Sequence, residues 1–343
     1  MLNKKSSLFI IVTILFFWSL IFFIIPSEKG KKPIEVIFSG STMGTTYEVK
    51  ISKNISSPQF VLIQAGIDSL LKSINQSMST YISDSEISKI NNFNDSIPID
   101  LSYDFSYVLA KSLYYHKITN GGFDVTVKPL LELWGFRGKE IKREPYSVDV
   151  ENIRKYVGSD KFIYDKNKNS LIKKHPKVQF DFGAIAKGYA VDLISLYLEK
   201  LGYSIHYVEI GGEIICKGKD WHISIAYPQF NSNKFYETIV LSNHAIATSG
   251  TYNNSFKIDE FEYSHIFNPR LGYPSKNNVI SVTVISNKCI DSDALATSLK
   301  VLDYKKGIEL INGIEDTECM FIIKEDEVLK NYCSNNFLSF LVK

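Results

Sequence analysis

Two aspartates, a lysine and a histidine stand at element boundaries, and their spacing suits work on a phosphorylated ligand. In Asp181-Phe-Gly-Ala-Ile-Ala-Lys-Gly188 an extended segment runs through a glycine turn into a helix. A helix start offers free backbone N–H groups and the positive end of the dipole, which suits phosphate, and Lys187 adds a formal charge. The plainer reading is an Asp181 helix cap followed by a solvated lysine. In Asp291-Ser-Asp-Ala-Leu-Ala-Thr-Ser298, Asp293 and Thr297 are four apart, so a helix sets carboxylate and hydroxyl on one face. With a borrowed backbone carbonyl they make a partial shell for magnesium, which keeps several waters and shares substrate phosphates. The plainer reading makes the aspartate a cap. His265 runs into a Pro/Gly-rich loop ending at Pro274, and serves either as a proton carrier near neutral pH or as a structural hydrogen-bonder.

Smaller clusters surround these. Gly211-Gly212 follows a strand and permits close backbone approach or a bulge. Ser41-Thr-Met-Gly-Thr-Thr-Tyr47, Met78-Ser-Thr-Tyr81 and Gly122-Phe-Asp-Val-Thr126 set a thioether, a phenol and a phenyl ring among polar neighbours. The chain carries no G-x-G-x-x-G, Walker loop, G-x-S-x-G or H-E-x-x-H. Its four cysteines include no C-x-x-C pair or zinc spacing. Cys319 and Cys333 flank an expected hairpin around 324–327 and are either a disulfide or two buried thiols. With 343 residues, 45% hydrophobic, 13% aromatic, 22% charged and a net charge of +2, the chain is neither disordered nor a dedicated nucleic-acid binder.

The elements that must position these groups read as α+β. Leu8–Ile25 is an 18-residue apolar run behind Lys4 and Lys5, long enough to span hydrocarbon, with no small-x-small cleavage site and no lipobox cysteine. It predicts an uncleaved signal-anchor over residues 1–26, with a cleaved signal peptide as the alternative, then a linker and first strand over 27–37, then one large domain over 38–343. Lysines flank the run on both sides, so the positive-inside rule leaves orientation open. Strands are expected at 34–38, 45–51, 204–210, 221–227, 236–241 and 279–285. Helices are expected from Pro58 (Ile63, Ile67, Leu70, Leu71, Ile74 and Met78 on one face), after a Ser83–Glu86 capping box, over 101–116, from Gly183 to Gly202, and from Ser292 to Asp303. Clustered strands and helices without strict alternation favour α+β over a doubly wound sheet.

The ordered succession of these motifs, from about Phe38 to the carboxyl terminus, resembles the ApbE family of FAD:protein FMN transferases. Glu209-Ile-Gly-Gly212, Trp134-Gly135 and Thr248-Ser-Gly250 add to the match. The resemblance implies a single ApbE-like α+β domain and a magnesium-dependent enzyme. Such an enzyme moves the FMN half of FAD to a threonine hydroxyl of a target protein and releases AMP. Relatives that hydrolyse FAD to FMN and AMP, and a non-catalytic FAD-binding protein, are the alternatives. By position, Met43, Tyr81, Gly122, Phe123, Asp124, Asp181, Lys187 and Ile266 would contact FAD. The Ala184 carbonyl, Asp293 and Thr297 would hold magnesium, and His265 backed by Asp293 would act on the incoming hydroxyl. The family's acceptors, subunits of flavin-carrying membrane electron-transfer complexes, imply a body outside the cytoplasm of a bacterium, tethered to its inner membrane. The chain departs from the family pattern at Lys128, Glu213, Asn268 and Leu271, all beside the expected pocket.

Overall fold

The computed structural model describes residues 34–137, 141–229, 234–251, 255–258, 261–326 and 328–342. The expected span Leu8–Ile25 lies outside them, and among the described residues no helix is long and apolar enough to cross a membrane.

Eight strands form one antiparallel sheet: β1 (Glu35–Thr42), β2 (Thr45–Ser52), β3 (His206–Ile210), β4 (Glu213–Lys217), β5 (Ala245–Gly250), β6 (Val279–Ser286), β7 (Glu318–Glu325) and β8 (Val328–Cys333). Their order across the sheet follows their order along the chain, so the sheet is a meander with the helices inserted between strands. β1 and β2 meet at Met43 and Gly44, whose φ angles of 50° and 75° make the two-residue turn that matches strand twist.

The central strands are apolar on both faces. On β7, Cys319, Phe321 and Ile323 join the helix-side core, while Met320 and Ile322 join a second core under the hairpin Trp221–Ala226 and Phe235–Leu241. That two-sided burial is why the strands read as near-continuous apolar runs. The same pleat settles the cysteines. Cys333 pairs across the ladder with Met320, so the Cys319 and Cys333 thiols point to opposite faces and both are free.

The helices are α1 (Ser57–Met78), α2 (Glu86–Asn92), α3 (Tyr103–Ile118), α4 (Lys128–Leu133), α5 (Ser147–Arg154), α6 (Ala186–Lys200), α7 (Cys289–Val301) and α8 (Tyr304–Asn312). α1 buries Ile63, Ile67, Leu71, Ile74 and Met78 as its spacing predicts, with Leu70 at the margin. α7 packs on β5 and β6 and is buried almost all round, Ser292, Asp293, Ser298 and Lys300 included. A third, smaller core joins Leu130, Leu131, Trp134, Val150, Tyr263 and Phe267. Trp134 Nε1 donates to the Gly272 carbonyl at 3.2 Å, which fastens the loop beyond His265.

Three boundaries differ from expectation for stated reasons. Ser85, not Ser83, caps α2 by accepting from the Ser88 N–H. Glu86 is drawn away from that box to the N-terminus of α3, where it accepts from the Ser102 N–H at 2.7 Å and the Ser102 hydroxyl at 2.5 Å. α7 begins at Cys289, earlier than Ser292, because Asp192 on α6 accepts from the Cys289 and Ile290 N–H groups at 2.8 and 3.0 Å. This cap comes from a distant helix. α6 begins at Ala186, later than Gly183, because Asp181 turns the chain around Gly183 first.

Candidate active site

Where α6 meets α7, Gly188 is the hinge of the arrangement. A Cβ there would collide with the Cys289 carbonyl oxygen and lie 2.8 Å from Asp293 Cβ, so only glycine lets the two helices approach this closely. Helix geometry would send the Gly188 N–H to the Ala184 carbonyl. It donates instead to Asp293 Oδ2 at 2.9 Å, and no described donor replaces it on the Ala184 oxygen. Asp293 is therefore not a cap, since it is fifth along α7 and 4% exposed. Thr297 follows one turn later on the same face, partly exposed.

Lys187 closes the centre. Its Nζ lies 3.0 Å from Glu213 Oε1 and 3.9 Å from Asp293 Oδ1, so it is an ion-pair partner and not a solvated lysine. Burial works against the ammonium, but the Asp293 and Glu213 carboxylates outweigh it and hold Lys187 well above its ordinary range. Burial pushes both carboxyls up, against the opposing pull of Lys187. Two carboxylates against one ammonium leave a buried deficit of positive charge, which a proton or a cation must balance. Among the described residues no three His, Cys, Asp or Glu side chains form a metal cage. A magnesium ion that keeps waters and substrate phosphates asks for no such cage. The carbonyl without a donor, the carboxylate and the hydroxyl fit it.

A second group lies at the other end of the 181–188 segment. Asp181 accepts from the Gly183 N–H at 2.8 Å and from Arg137 Nε at 3.0 Å. The Arg137 guanidinium lies over the Tyr81 ring, 5.2 Å from its centroid, and that ring is 78% exposed. Burial opposes the guanidinium charge, and Asp181 outweighs it. The Asp181 N–H donates to the Val125 carbonyl at 2.8 Å, which joins this group to Gly122–Asp124. There Asp124 accepts from the Thr126 N–H at 2.7 Å and pairs with His116 Nδ1 at 3.1 Å. The Phe123 ring is core, packed edge-on to Tyr115.

The Met43 turn is braced by Asn75, which donates to the Thr42 hydroxyl at 3.0 Å. Gly211 packs its backbone on Thr45, at φ 61°, and Gly212 follows at φ 100°. His265 sits between the buried Tyr263 and Phe267. Ile266 is buried, and its carbonyl accepts from the Ser275 N–H at 2.7 Å. Asn277 then donates to the Lys300 carbonyl at 2.8 Å, which fastens the His265 loop to the end of α7, one turn beyond Thr297. Asp293 itself is held by Gly188 and Lys187. Arg137, His116 and Asp192 are the residues that sequence reasoning missed. None lies at helical spacing from its partner, and only contact across the fold reveals them.

Fold and site define a single α+β domain whose buried acidic centre, bridged by a lysine, sits between two helices beside an antiparallel meander. Residues 43–321 match the model of the ApbE family, and the chain belongs to that family. An FAD:protein FMN transferase of Vibrio cholerae is 37% identical over 320 residues, covering 91% of this chain and 95% of the relative. One from Haemophilus influenzae is 37% identical over 294 residues, covering 82% and 84%. The solved flavin transferase ApbE of Vibrio cholerae superposes with a TM-score of 0.80 at 35% identity, covering 90% of this chain and 99% of that one. The apo form of the Pseudomonas stutzeri flavinyl transferase ApbE gives 0.81 at 30% identity, covering 90% and 97%.

Proposed function

We propose that this chain transfers the FMN half of FAD to a threonine hydroxyl of an acceptor protein and releases AMP, with magnesium held by the Ala184 carbonyl, Asp293 and Thr297. The observation that carries the reading is the meeting of Lys187, Asp293 and the Ala184 carbonyl at the α6–α7 contact, in a chain of this family. Magnesium, when bound, supplies positive charge to the pyrophosphate and eases the departure of AMP. Lys187 adds a second cation for a phosphate oxygen. Tyr81 offers an exposed ring and Arg137 a partly buried guanidinium for FAD, with Asp181 holding Arg137 in place. Met43, Gly122, Phe123, Asp124 and Ile266 complete the proposed contacts.

His265 is the proposed base. It takes the proton of the threonine hydroxyl as that oxygen bonds to the FMN phosphorus. The bridging P–O bond to AMP breaks, AMP carries away the electron pair, and the imidazolium returns its proton to solvent. Leu8–Ile25 anchors the enzyme in the inner membrane with its body outside the cytoplasm, beside membrane-bound acceptors.

The test incubates the protein with FAD, magnesium and an acceptor domain carrying a candidate threonine. A yellow, covalently flavinylated acceptor with AMP supports the reading; free FMN with AMP points to hydrolysis, and unchanged FAD overturns both. His265→Ala is expected to lower transfer by about 10²-fold or more while FAD binding, followed by fluorescence, persists. Near-normal transfer by that variant removes His265 from the role.

A further inference from the structure

Glu213 opens β4 directly after the Gly211–Gly212 turn and is 6% exposed. One carboxylate oxygen, Oε1, takes Lys187 at 3.0 Å. The other, Oε2, is buried and meets no hydrogen-bond donor. A bare buried carboxylate oxygen costs free energy, which a proton or a cation placed there relieves. The same Lys187 ammonium reaches Asp293 Oδ1 at 3.9 Å, so both carboxylates converge on one point. The Ala184 carbonyl, whose helical donor has gone to Asp293, stands on the segment that carries Lys187.

We infer that Glu213 is a ligand of the divalent cation, a second carboxylate beside Asp293, and that Lys187 bridges the pair as a monovalent stand-in which the cation displaces. The inference rests on the proposed function for the presence of that cation. It adds that the cation binds without nucleotide, because hard divalent ions gain affinity with each carboxylate ligand. Displaced from the carboxylates, Lys187 becomes available to a substrate phosphate, so cation binding comes first and prepares the site for FAD.

The test uses the full chain in detergent, free of nucleotide, titrated with Mn2+ alone while free Mn2+ is followed by electron paramagnetic resonance. The wild type is expected to bind one Mn2+. Glu213→Gln should weaken binding by about tenfold or more, comparable with the loss of other metal-site groups. Lys187→Met, which removes the competing ammonium, should tighten it. Thermal unfolding of each variant without metal checks the fold. If Glu213→Gln does not fold, Glu213→Asp, with shorter reach, should bind more weakly than the wild type. Wild-type affinity in the folded Glu213 variants overturns the inference, and so does a wild type that binds no Mn2+ until FAD is added. In either case intact FMN transfer leaves the proposed function standing, so the two failures are distinguishable.

Discussion

Lys187 lies within ion-pair reach of two buried carboxylates, so its neighbours decide its charge and position more than its own helix does. The same holds at His116. Asp124, accepting from Nδ1, raises the imidazole above its ordinary value against the opposing effect of burial. The folded state therefore binds this proton more tightly than the unfolded chain. The contact contributes in full below the unfolded histidine value, and its contribution is lost as pH rises through the raised folded value. Urea denaturation from mildly acidic to alkaline buffer should show this loss in the wild type, and His116→Gln should lack that component. An identical pH slope in both proteins would remove His116 from the account. Lys187 and His265 were legible in the sequence because glycine-bearing turns stand near them, and Asp293 because it lies one helical turn before Thr297. Arg137 and His116 were not, because a guanidinium or imidazole is defined by the carboxylate it meets, 44 and eight residues away here.

At the scale of elements, the α6–α7 contact does what neither helix does alone. Each helix is legible from its apolar spacing, but their approach depends on Gly188 and their registration on Asp192. Gly188→Ala forces its methyl group against the Cys289 carbonyl and Asp293 Cβ. Overpacking of this kind costs about 1–3 kcal/mol, read as a lower midpoint in chemical denaturation. Because the Gly188 N–H also holds Asp293, transfer activity should fall under conditions in which the variant remains folded. Full activity in a destabilised variant would show that the contact serves packing alone. α4, α5 and α8 escaped the sequence reading because they are short, at 6, 8 and 9 residues, and too little periodicity accumulates over so few turns.

Across the molecule, the meander places a continuous helix-side core behind the site, and its members run from Phe38 to Ile323. The site is likewise assembled from segments between Met43 and Thr297, so the described body is one unit. A chain beginning at Ile34 is therefore expected to fold, to stay in the supernatant after ultracentrifugation and to flavinylate a soluble acceptor, whereas the full chain sediments with membranes. A shortened chain that still sediments would place the membrane contact in the body and not in Leu8–Ile25. The central strands β4 and β5 were missed because both of their faces are buried. Without alternating polarity, Glu213–Lys217 and Ala245–Gly250 carry no period-2 signal.

The sequence by itself determined the α+β class, the family resemblance, the long helices and the order of the glycine-flanked motifs. Each of these depends on residues close together in the chain, where propensity, capping and spacing act. Only the tertiary structure decided that Glu213 faces Lys187 and Asp293 and that Gly188 takes the Ala184 carbonyl's donor for Asp293. It also decided that Cys319 and Cys333 point to opposite faces. Those outcomes depend on burial and on strand and helix registration, which bring together groups as far apart as positions 188 and 293. Desolvation and electrostatic pairing at such a meeting point are properties of the packed interior, and local sequence does not encode them.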